Sequence, residues 1–288
     1  MPTKLLKILL PLFIIGILIF ILIFWFAGRP AKQLQIFFID VGQGDAELIK
    51  SPGGQNILID GGPDKTIMSR LSEILPAYDR TIDLLILTHP HDDHVAGLVE
   101  VVKNYKVTKI LYTGVSHSAP NYLAWLEEVK NKNIPLVIVD RPQIIKFDND
   151  TSLEILYPRK SLAGRDVKFL NNSSIVARLK YKNFSAIFMG DTETPVEDEL
   201  METYQNIKAK VIKIGHHGSD TASSDKFIKA ISPETAIIEA GANNQFGLPS
   251  LRTIKKLERE NIKVYRTDLN GTIKIISDGE RYQVNTNK

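Results

Sequence analysis

The sequence predicts a mixed α/β domain, two sheets covered by helices, that follows one membrane-spanning helix. Three observations carry that expectation. Ile8 to Ala27 are twenty consecutive positions, apolar throughout except for Pro11 and Gly16. From Gln33 onward, short apolar runs bounded by turn residues alternate with segments of helical spacing, without repeats or low-complexity stretches. At 288 residues and 43% apolar content, the chain holds enough hydrophobic side chains to bury a full core, which excludes a disordered polypeptide.

A helix over the twenty apolar residues would be roughly 30 Å long, enough to cross the hydrocarbon core of a bilayer. A buried core helix of that length keeps a polar stripe, and this segment has none. Lys4, Lys7 and the terminal amine precede it, whereas Arg29 and Lys32 follow, so the small basic excess places the N-terminus inside and the rest outside. A cleaved signal peptide would have a shorter apolar region and an A-x-A-like site, which is lacking around Trp25–Ala31, so an uncleaved anchor is expected. We therefore expect an anchor and short linker over residues 1–32 and a single extracytoplasmic domain over 33–288. One span cannot by itself form a multi-helix channel.

Cysteine is absent, which removes disulfides and thiolate metal ligands and suits an extracytoplasmic domain stabilised without them. Residues 1–29 hold three basic side chains and no acid, so the remainder carries 33 basic and 33 acidic residues. A nucleic-acid partner would have to be held by a local patch or by metals, because no overall positive field exists.

Strands are expected, in order, at Gln35–Asp40, Ala46–Lys50, Asn56–Asp60, Leu84–Thr88, Lys109–Tyr112 and Leu136–Val139. Further strands are expected at Leu153–Leu156, Ser174–Tyr181, Phe184–Met189, Ala209–Ile214, Thr235–Ala240, Lys263–Arg266 and Thr272–Ile276. Lys182–Asn183 and Asn270–Gly271 have the composition of hairpin turns joining their flanking strands. Tyr122, Trp125, Leu126 and Val129 have helical spacing with Asn121 as N-cap, and Leu251, Ile254 and Leu257 follow Pro249–Ser250 in the same way. Both stripes read as core faces. No Pro/Gly/Ser linker divides Gln33–Ser277, so these elements belong to one domain.

The chemistry concentrates after the fourth strand, which runs into His89-Pro90-His91-Asp92-Asp93-His94 and then a helix start at Val95. Three of the six histidines fall within these six residues. A buried strand that ends in such a loop presents imidazoles and carboxylates together, a donor set suited to Zn²⁺, Mn²⁺ or Fe. Two histidines two apart, followed by an Asp-His pair, can be divided between two metals. The alternative is a solvated polar turn, for which this density of histidine is unusual.

The His-x-His-x-Asp-His pattern resembles the signature of the metallo-β-lactamase fold. Met189-Gly190-Asp191 and Gly215-His216-His217-Gly218-Ser219, each ending a strand, match its later motifs. More narrowly, Ile39–Ala46, Leu58–Gly62, Asn171–Ser174 and Val264–Asp268 resemble the C-terminal hydrolase domain of the competence-protein family ComEC, over about Leu34–Ile276. The resemblance implies an αββα sandwich and one or two divalent ions, Zn or Mn. It implies that His89 and His91 bind the first metal, that Asp93, His94 and His217 bind the second, and that Asp191 bridges them. Asp93 and His216 are the expected catalytic side chains, with His216 contacting substrate or protonating a leaving group unless it exchanges roles with His217. Many members of the fold supply a third histidine to the first metal, where this chain has Asn172-Ser173-Ser174. Asn172 offers an amide oxygen there or leaves the position to water.

Around these residues the expectations are structural. Gly42, Gly44, Gly61 and Gly62 read as turn devices, Asp40, Asp45 and Asp60 as hydrogen-bond acceptors, and Asp92 as a cap. Glu193 and Glu197 read as helix-start carboxylates, Ser219, Asp220 and Thr221 as a cap and turn, and His117 as a surface-loop histidine. The resemblance implies a metal-dependent phosphodiesterase or nuclease acting outside the membrane, with single-stranded DNA among its substrates. Two other readings stand beside it: hydrolysis of a small ester, amide or lactone, and a non-catalytic metal-stabilised module tethered to the membrane. The ComEC family carries a polytopic transport domain that is absent from this sequence, so transport is not implied.

Overall fold

The computed structural model describes residues 33–288 together with 15–17 and 19. The chain divides into two units, Met1–Gln33 and Leu34–Lys288. Of the expected span over residues 8–27, positions 15–17 and 19 are helical and the others lie outside the described residues. Among the described residues no helix is long and apolar enough to cross a membrane.

The second unit is built on two sheets. The first has eight strands, in the order β17 (Tyr282–Thr286), β16 (Ile273–Ser277), β1 (Leu34–Phe38), β2 (Glu47–Lys50), β3 (Asn56–Ile59), β5 (Leu84–Ile86), β7 (Ile110–Tyr112) and β8 (Leu136–Ile138). The second has seven, in the order β15 (Lys263–Arg266), β14 (Thr235–Ile238), β13 (Val211–Lys213), β12 (Phe184–Phe188), β11 (Val176–Tyr181), β10 (Thr151–Tyr157) and β9 (Gln143–Lys146), and β4 (Thr81–Ile82) pairs separately with β6 (Lys106–Val107). In the first, β1 (Leu34–Phe38), β2 (Glu47–Lys50) and β3 (Asn56–Ile59) run antiparallel, and β3, β5 (Leu84–Ile86), β7 (Ile110–Tyr112) and β8 (Leu136–Ile138) run parallel. In the second, β9 (Gln143–Lys146), β10 (Thr151–Tyr157), β11 (Val176–Tyr181) and β12 (Phe184–Phe188) are antiparallel. β13 (Val211–Lys213), β14 (Thr235–Ile238) and β15 (Lys263–Arg266) then continue in parallel from β12.

Side-chain alternation explains the stacking. Leu34, Ile36 and Phe38 of β1 and Ile57 and Ile59 of β3 point between the sheets, where they meet Phe184, Ala186 and Phe188 of β12. Phe38 stacks on Phe188 with ring centroids 6.0 Å apart. The opposite parity, Phe37, Leu48, Leu58 and Leu85, packs under helices α1 (Thr66–Ile74), α2 (Asp92–Asn104) and α3 (Pro120–Asn131). On the far face, Ile187, Ile212 and Ile238 pack under α4 (Thr194–Thr203), α5 (Asp225–Ile231) and α6 (Leu251–Arg259). Both sheets are thus covered on both faces, the four-layer αββα arrangement the sequence implied.

Several local expectations are corrected. Tyr181 and Phe184 do pair across Lys182–Asn183, but Asn270–Gly271 makes no hairpin. β15 belongs to the second sheet and β16 (Ile273–Ser277) to the first, so Thr267–Asn270 is a helical turn, α7, at a crossover between sheets. The cap of α3 is Ala119 followed by Pro120, and Asn121 lies inside the helix, its Nδ2 donating to Asp92 Oδ1 at 3.1 Å. α2 begins at Asp92 with His91 as its N-cap, so Asp92 lies in the first turn and does not cap a helix starting at Val95. Ser250 does cap α6, accepting from Thr253 N. Leu251 of the expected core stripe is 66% exposed, because the buried face of α6 is formed by Thr253, Lys256 and Leu257.

Two glycines are needed for close approach. A Cβ on Gly44 would lie 2.2 Å from the Asp93 carbonyl, and one on Gly97 would lie 2.0 Å from the Gly61 carbonyl. The Gly44 gap seats the first turn of α2 directly on the β1–β2 loop, where Asp45 N donates to Asp93 O at 3.2 Å, and the Gly97 gap seats the helix on the loop after β3. Gly44 acts here through close approach as well as through its turn.

Candidate metal centre

Three loops meet at one edge of the two sheets. After β5 the chain continues through Thr88 and His89 into the first turn of α2, which carries Asp93 and His94. After β12 it reaches Asp191, and after β13 it enters a tight turn, Gly215–Gly218, with His216 and His217. The sheets are tied at this edge by Ile175 N donating to Thr88 O at 3.1 Å.

The loops bring the expected ligands together in two overlapping groups. Donor atoms of His89, His91 and Asp191 lie within 4.8 Å of one another, as do those of Asp93, His94, Asp191 and His217. Asp191 is common to both. Its Oδ2 lies 3.8 Å from His89 Nε2, 3.3 Å from His94 Nε2 and 3.5 Å from His217 Nε2. Asp93 Oδ2 is 3.1 Å from His217 Nε2. Two donors at opposite corners of a tetrahedral Zn site with bonds of about 2.0–2.1 Å are separated by roughly 3.3 Å, so these spacings fit a common cation.

The hydrogen bonds behind the ligands support the same assignment. His94 Nδ1 donates to Asp60 Oδ2 at 2.7 Å and His217 Nδ1 to the Glu239 carbonyl at 2.9 Å. In both rings Nδ1 is engaged at the back, so Nε2 is the atom turned to the cluster and the one a metal would take in place of a proton. His94 Nε2 and Asp191 Oδ1 are fully buried without a hydrogen-bond partner, which is costly unless a cation completes them. The residues present fit a divalent metal.

Charge balance points the same way. Burial lowers the affinity of His94 for a proton, but Asp191, Asp93, Asp60 and Asp45 outweigh it and hold the imidazole well above its usual range. His217 is likewise opposed by burial and raised well above its usual range by Asp191 and Asp45. His89, deeper among other histidines, is pushed well down, first by burial and then by His94. Burial raises Asp191, yet His217 and His94 pull it well below an ordinary carboxylate. The second group thus concentrates enough negative charge to retain protons on its imidazoles, and a divalent ion would displace them.

Asp60 is the acceptor the sequence suggested. It is buried, lies in the left-handed region at φ 54°, and accepts from Thr88 N at 2.8 Å and Thr88 Oγ1 at 2.6 Å in addition to His94.

Beneath the centre lies a charged network not anticipated as a unit. Lys213, fully buried at the end of β13, pairs with Asp45 and donates to the Gly190 carbonyl at 3.0 Å. Glu47 and Glu239, also buried, are pushed well above the usual carboxylate range by burial and then by their acidic neighbours. Asp45, Glu47 and Glu239 form a third acidic group, and the Lys213 ammonium provides its cation. In the sequence Glu47, Lys213 and Glu239 interrupt otherwise apolar runs, a signal that marks them as buried and paired.

The rim differs from expectation in its backbone. His216 and His217 are not extended, and both lie in the left-handed region at φ 49° and 51°. The turn directs His217 inward and leaves His216 at the mouth, with a quarter of its side chain exposed. Glu193, expected only as a helix-start charge, lies 3.2 Å from His216 Nδ1, and Thr221 Oγ1 donates to it at 2.7 Å. Asn171 Nδ2 approaches the other ring nitrogen of His216 at 3.3 Å. Asn172 is turned away, since its oxygen accepts from Glu193 N at 2.9 Å and its nitrogen reaches Glu193 Oε2 at 3.4 Å. His117 packs its ring 6.4 Å from His91, at the edge of the first group.

The chain belongs to the metallo-β-lactamase superfamily, whose family model matches residues 39–241. It is 32% identical over 260 residues to ComE operon protein 3 of Bacillus subtilis, covering 84% of this chain and 33% of that protein. It is 27% identical over 254 residues to the competence protein ComA of Neisseria gonorrhoeae, covering 85% of this chain and 32% of that one. The chain therefore spans about a third of the length of these relatives. Among solved structures it is similar to CmlA, a diiron β-hydroxylase from Streptomyces venezuelae, with a TM-score of 0.54 and 15% identity over 86% of this chain and 54% of that one. That likeness concerns the fold alone.

Proposed function

We propose that this protein is a membrane-anchored, metal-dependent phosphodiesterase whose catalytic domain lies outside the cytoplasm and acts on nucleic-acid strands, single-stranded DNA among them. The observation that carries the reading is the pair of ligand groups sharing Asp191, since a purely structural site needs neither a bridging carboxylate nor two adjacent pockets. Similarity to a competence protein supports a nucleic-acid substrate over a small ester or lactam. The apolar run at residues 8–27 and its basic flank support the anchor and its orientation.

In this reading His89 and His91 would hold one divalent ion and Asp93, His94 and His217 the other, with Asp191 common to both groups. When bound, such ions supply Lewis-acid polarisation and acidification of water near neutral pH. The chain supplies the rest. Asp60 and the Glu239 carbonyl fix the ring orientation of His94 and His217. His216, braced by Glu193 and Asn171, stands at the mouth to contact a phosphoryl oxygen or deliver a proton to the leaving oxygen.

The test uses the full chain in nonionic detergent with added Mn²⁺ or Zn²⁺. Substrates are single-stranded DNA, bis(p-nitrophenyl) phosphate and a chromogenic lactam. Metal-dependent cleavage of the two phosphodiesters, abolished by Asp191→Ala, is the expected result. Cleavage of the lactam alone would overturn the substrate class, and no cleavage with two bound metals would overturn catalysis.

A further inference from the structure

Helix α6, Leu251–Arg259, carries a basic face that the balanced charge of the chain after residue 29 conceals. Its buried side is formed by Thr253, Lys256 and Leu257, which leaves Arg252, Lys255 and Arg259 exposed. These occupy positions i, i+3 and i+7, so they project from one side of the helix and spread over about 10 Å. They line a groove of about 680 Å³ whose opposite wall includes Thr194 and Asp220. Two acids lie within it, and each is engaged by an arginine: Asp220 Oδ2 is 3.9 Å from Arg252 Nη1, and Asp225 pairs with Arg259. Lys255 has no ion-pair partner among the described residues, and Lys256 secures the wall from below by donating to Ser223 O at 2.6 Å.

The groove adjoins the metal centre through one stretch of chain. Thr194 Oγ1 donates to Thr221 O at 2.9 Å, and Thr221 Oγ1 lies 3.3 Å from His216 Nδ1. One residue earlier, Asp220 faces the groove. Asn171, which approaches His216, lies in a turn that begins at Phe169, a residue 63% exposed with the Lys168 ammonium 5.2 Å from its ring centroid. The cation ladder and the exposed aromatic residue are therefore each connected to the same histidine, one through Thr221 and the other through Asn171.

We infer that the α6 groove is the track for the backbone of a single-stranded nucleic acid, with Phe169, connected to His216 through Asn171, as a stacking platform for one of its bases. The inference rests on the phosphodiesterase reading and adds where the strand lies. The spread of Arg252, Lys255 and Arg259 is long enough for about two successive phosphates of an extended strand. The loose Arg252–Asp220 pair and the unpaired Lys255 are the charges such a strand would engage. Stacking on an exposed ring is tolerant of sequence and is the usual partner of such a groove.

The test measures binding of a fluorescent oligothymidylate to the full chain in phosphatidylcholine nanodiscs, in EDTA, so that catalysis plays no part. Each phosphate contact contributes about 0.7 to the log–log salt slope for a single strand, so Arg252→Ala/Lys255→Ala should lower the slope by about 1.4 and weaken binding by roughly 10- to 30-fold at 0.1 M salt. Phe169→Ala should weaken binding by about 5- to 100-fold with the slope unchanged, because stacking releases no counterion. A charge-matched control far along the fold, Lys103→Ala/Lys130→Ala, should change neither. An unchanged affinity and slope in the α6 variant overturns the inference even if the parent cleaves phosphodiesters. Loss of binding to phosphatidylglycerol vesicles with oligonucleotide affinity retained overturns it in favour of a lipid-facing patch. A parent that binds the strand through α6 but cleaves no phosphodiester keeps the track and removes the catalytic reading.

Discussion

Asp60→Asn tests the proton arrangement on which both ligand groups depend. Asp60 accepts three hydrogen bonds, from Thr88 N, Thr88 Oγ1 and His94 Nδ1, at 2.8, 2.6 and 2.7 Å. Thr88 Oγ1, which donates its proton to Asp60, is left to accept from His89 Nδ1 at 3.2 Å. Asp60 thus fixes His94 directly and His89 through Thr88, so that each presents an unprotonated Nε2 to the centre. Asparagine keeps the shape and tolerates the left-handed backbone at φ 54°. Its oxygen accepts from Thr88 N, which leaves its amide nitrogen, a donor, facing His94 Nδ1. To avoid two opposed donors, His94 must move its proton to Nε2, the atom a metal requires. The Thr88 hydroxyl, no longer able to donate to position 60, turns its proton toward His89 Nδ1 and shifts that tautomer as well.

Loss of an outer hydrogen-bond partner of a ligating histidine costs about 10- to 100-fold in metal affinity, or about 1.4–2.7 kcal/mol. Because both groups depend on Asp60, both affinities should fall, where a defect confined to His94 would lower one. Competition between the full chain in detergent and a chromogenic chelator gives the two constants, and thermal unfolding in excess chelator shows whether the apo fold survives. Parent-like affinity at both sites in a folded Asp60→Asn protein would refute the proton arrangement. A loss at one site alone would refute the relay through Thr88.

Three further outcomes follow from the same geometry. Lys213→Met removes the cation that pairs with Asp45 in a buried group of three carboxyls and should destabilise the chain by about 3–5 kcal/mol, read from the urea midpoint, with partial recovery on adding Asp45→Asn. His217→Ala should lower metal content and activity together, whereas His216→Ala should lower turnover by about 10²–10⁴-fold with metal content at the parent level; the reverse pattern by elemental analysis would exchange their roles. Glu154 is raised by burial but held below the usual carboxylate range by Lys180 and Arg178, at 2.7 Å each. Its folded pKa is therefore the lower one. Its contribution is present above the unfolded value of about 4.3 and lost as pH falls through the folded value, so the stability gap between parent and Glu154→Gln should close below about pH 4 in acid titration.

The sheets were legible because they are buried on both faces, so strands such as Ile36–Phe38 and Phe184–Phe188 appear as near-continuous apolar runs. All the expected strands are present. The strands not anticipated are the edge pieces, Gln143–Lys146 and Tyr282–Thr286, and the two-residue pair Thr81–Ile82 and Lys106–Val107. An edge strand is half solvated, so its pattern is weak, as the partly exposed Tyr282–Thr286 shows. The misplaced hairpin has a similar origin: Asn270–Gly271 has turn composition, but composition does not reveal that its flanking strands join different sheets.

The ligands were legible because histidine next to carboxylate at strand ends has few structural uses. What positions them was less so, since it depends on contacts between residues far apart in sequence. Asp45 and Lys213 are 168 positions apart, and nothing beside either in the sequence indicates its partner. A lone buried ion in such a run does carry one inference: burying it unpaired would cost several kcal/mol, so an opposite charge must meet it. Glu47, Lys213 and Glu239 each meet that condition. Read together, they would have predicted that the β1–β2 loop and the ends of β13 and β14 converge, which is the interface on which the second ligand group is built.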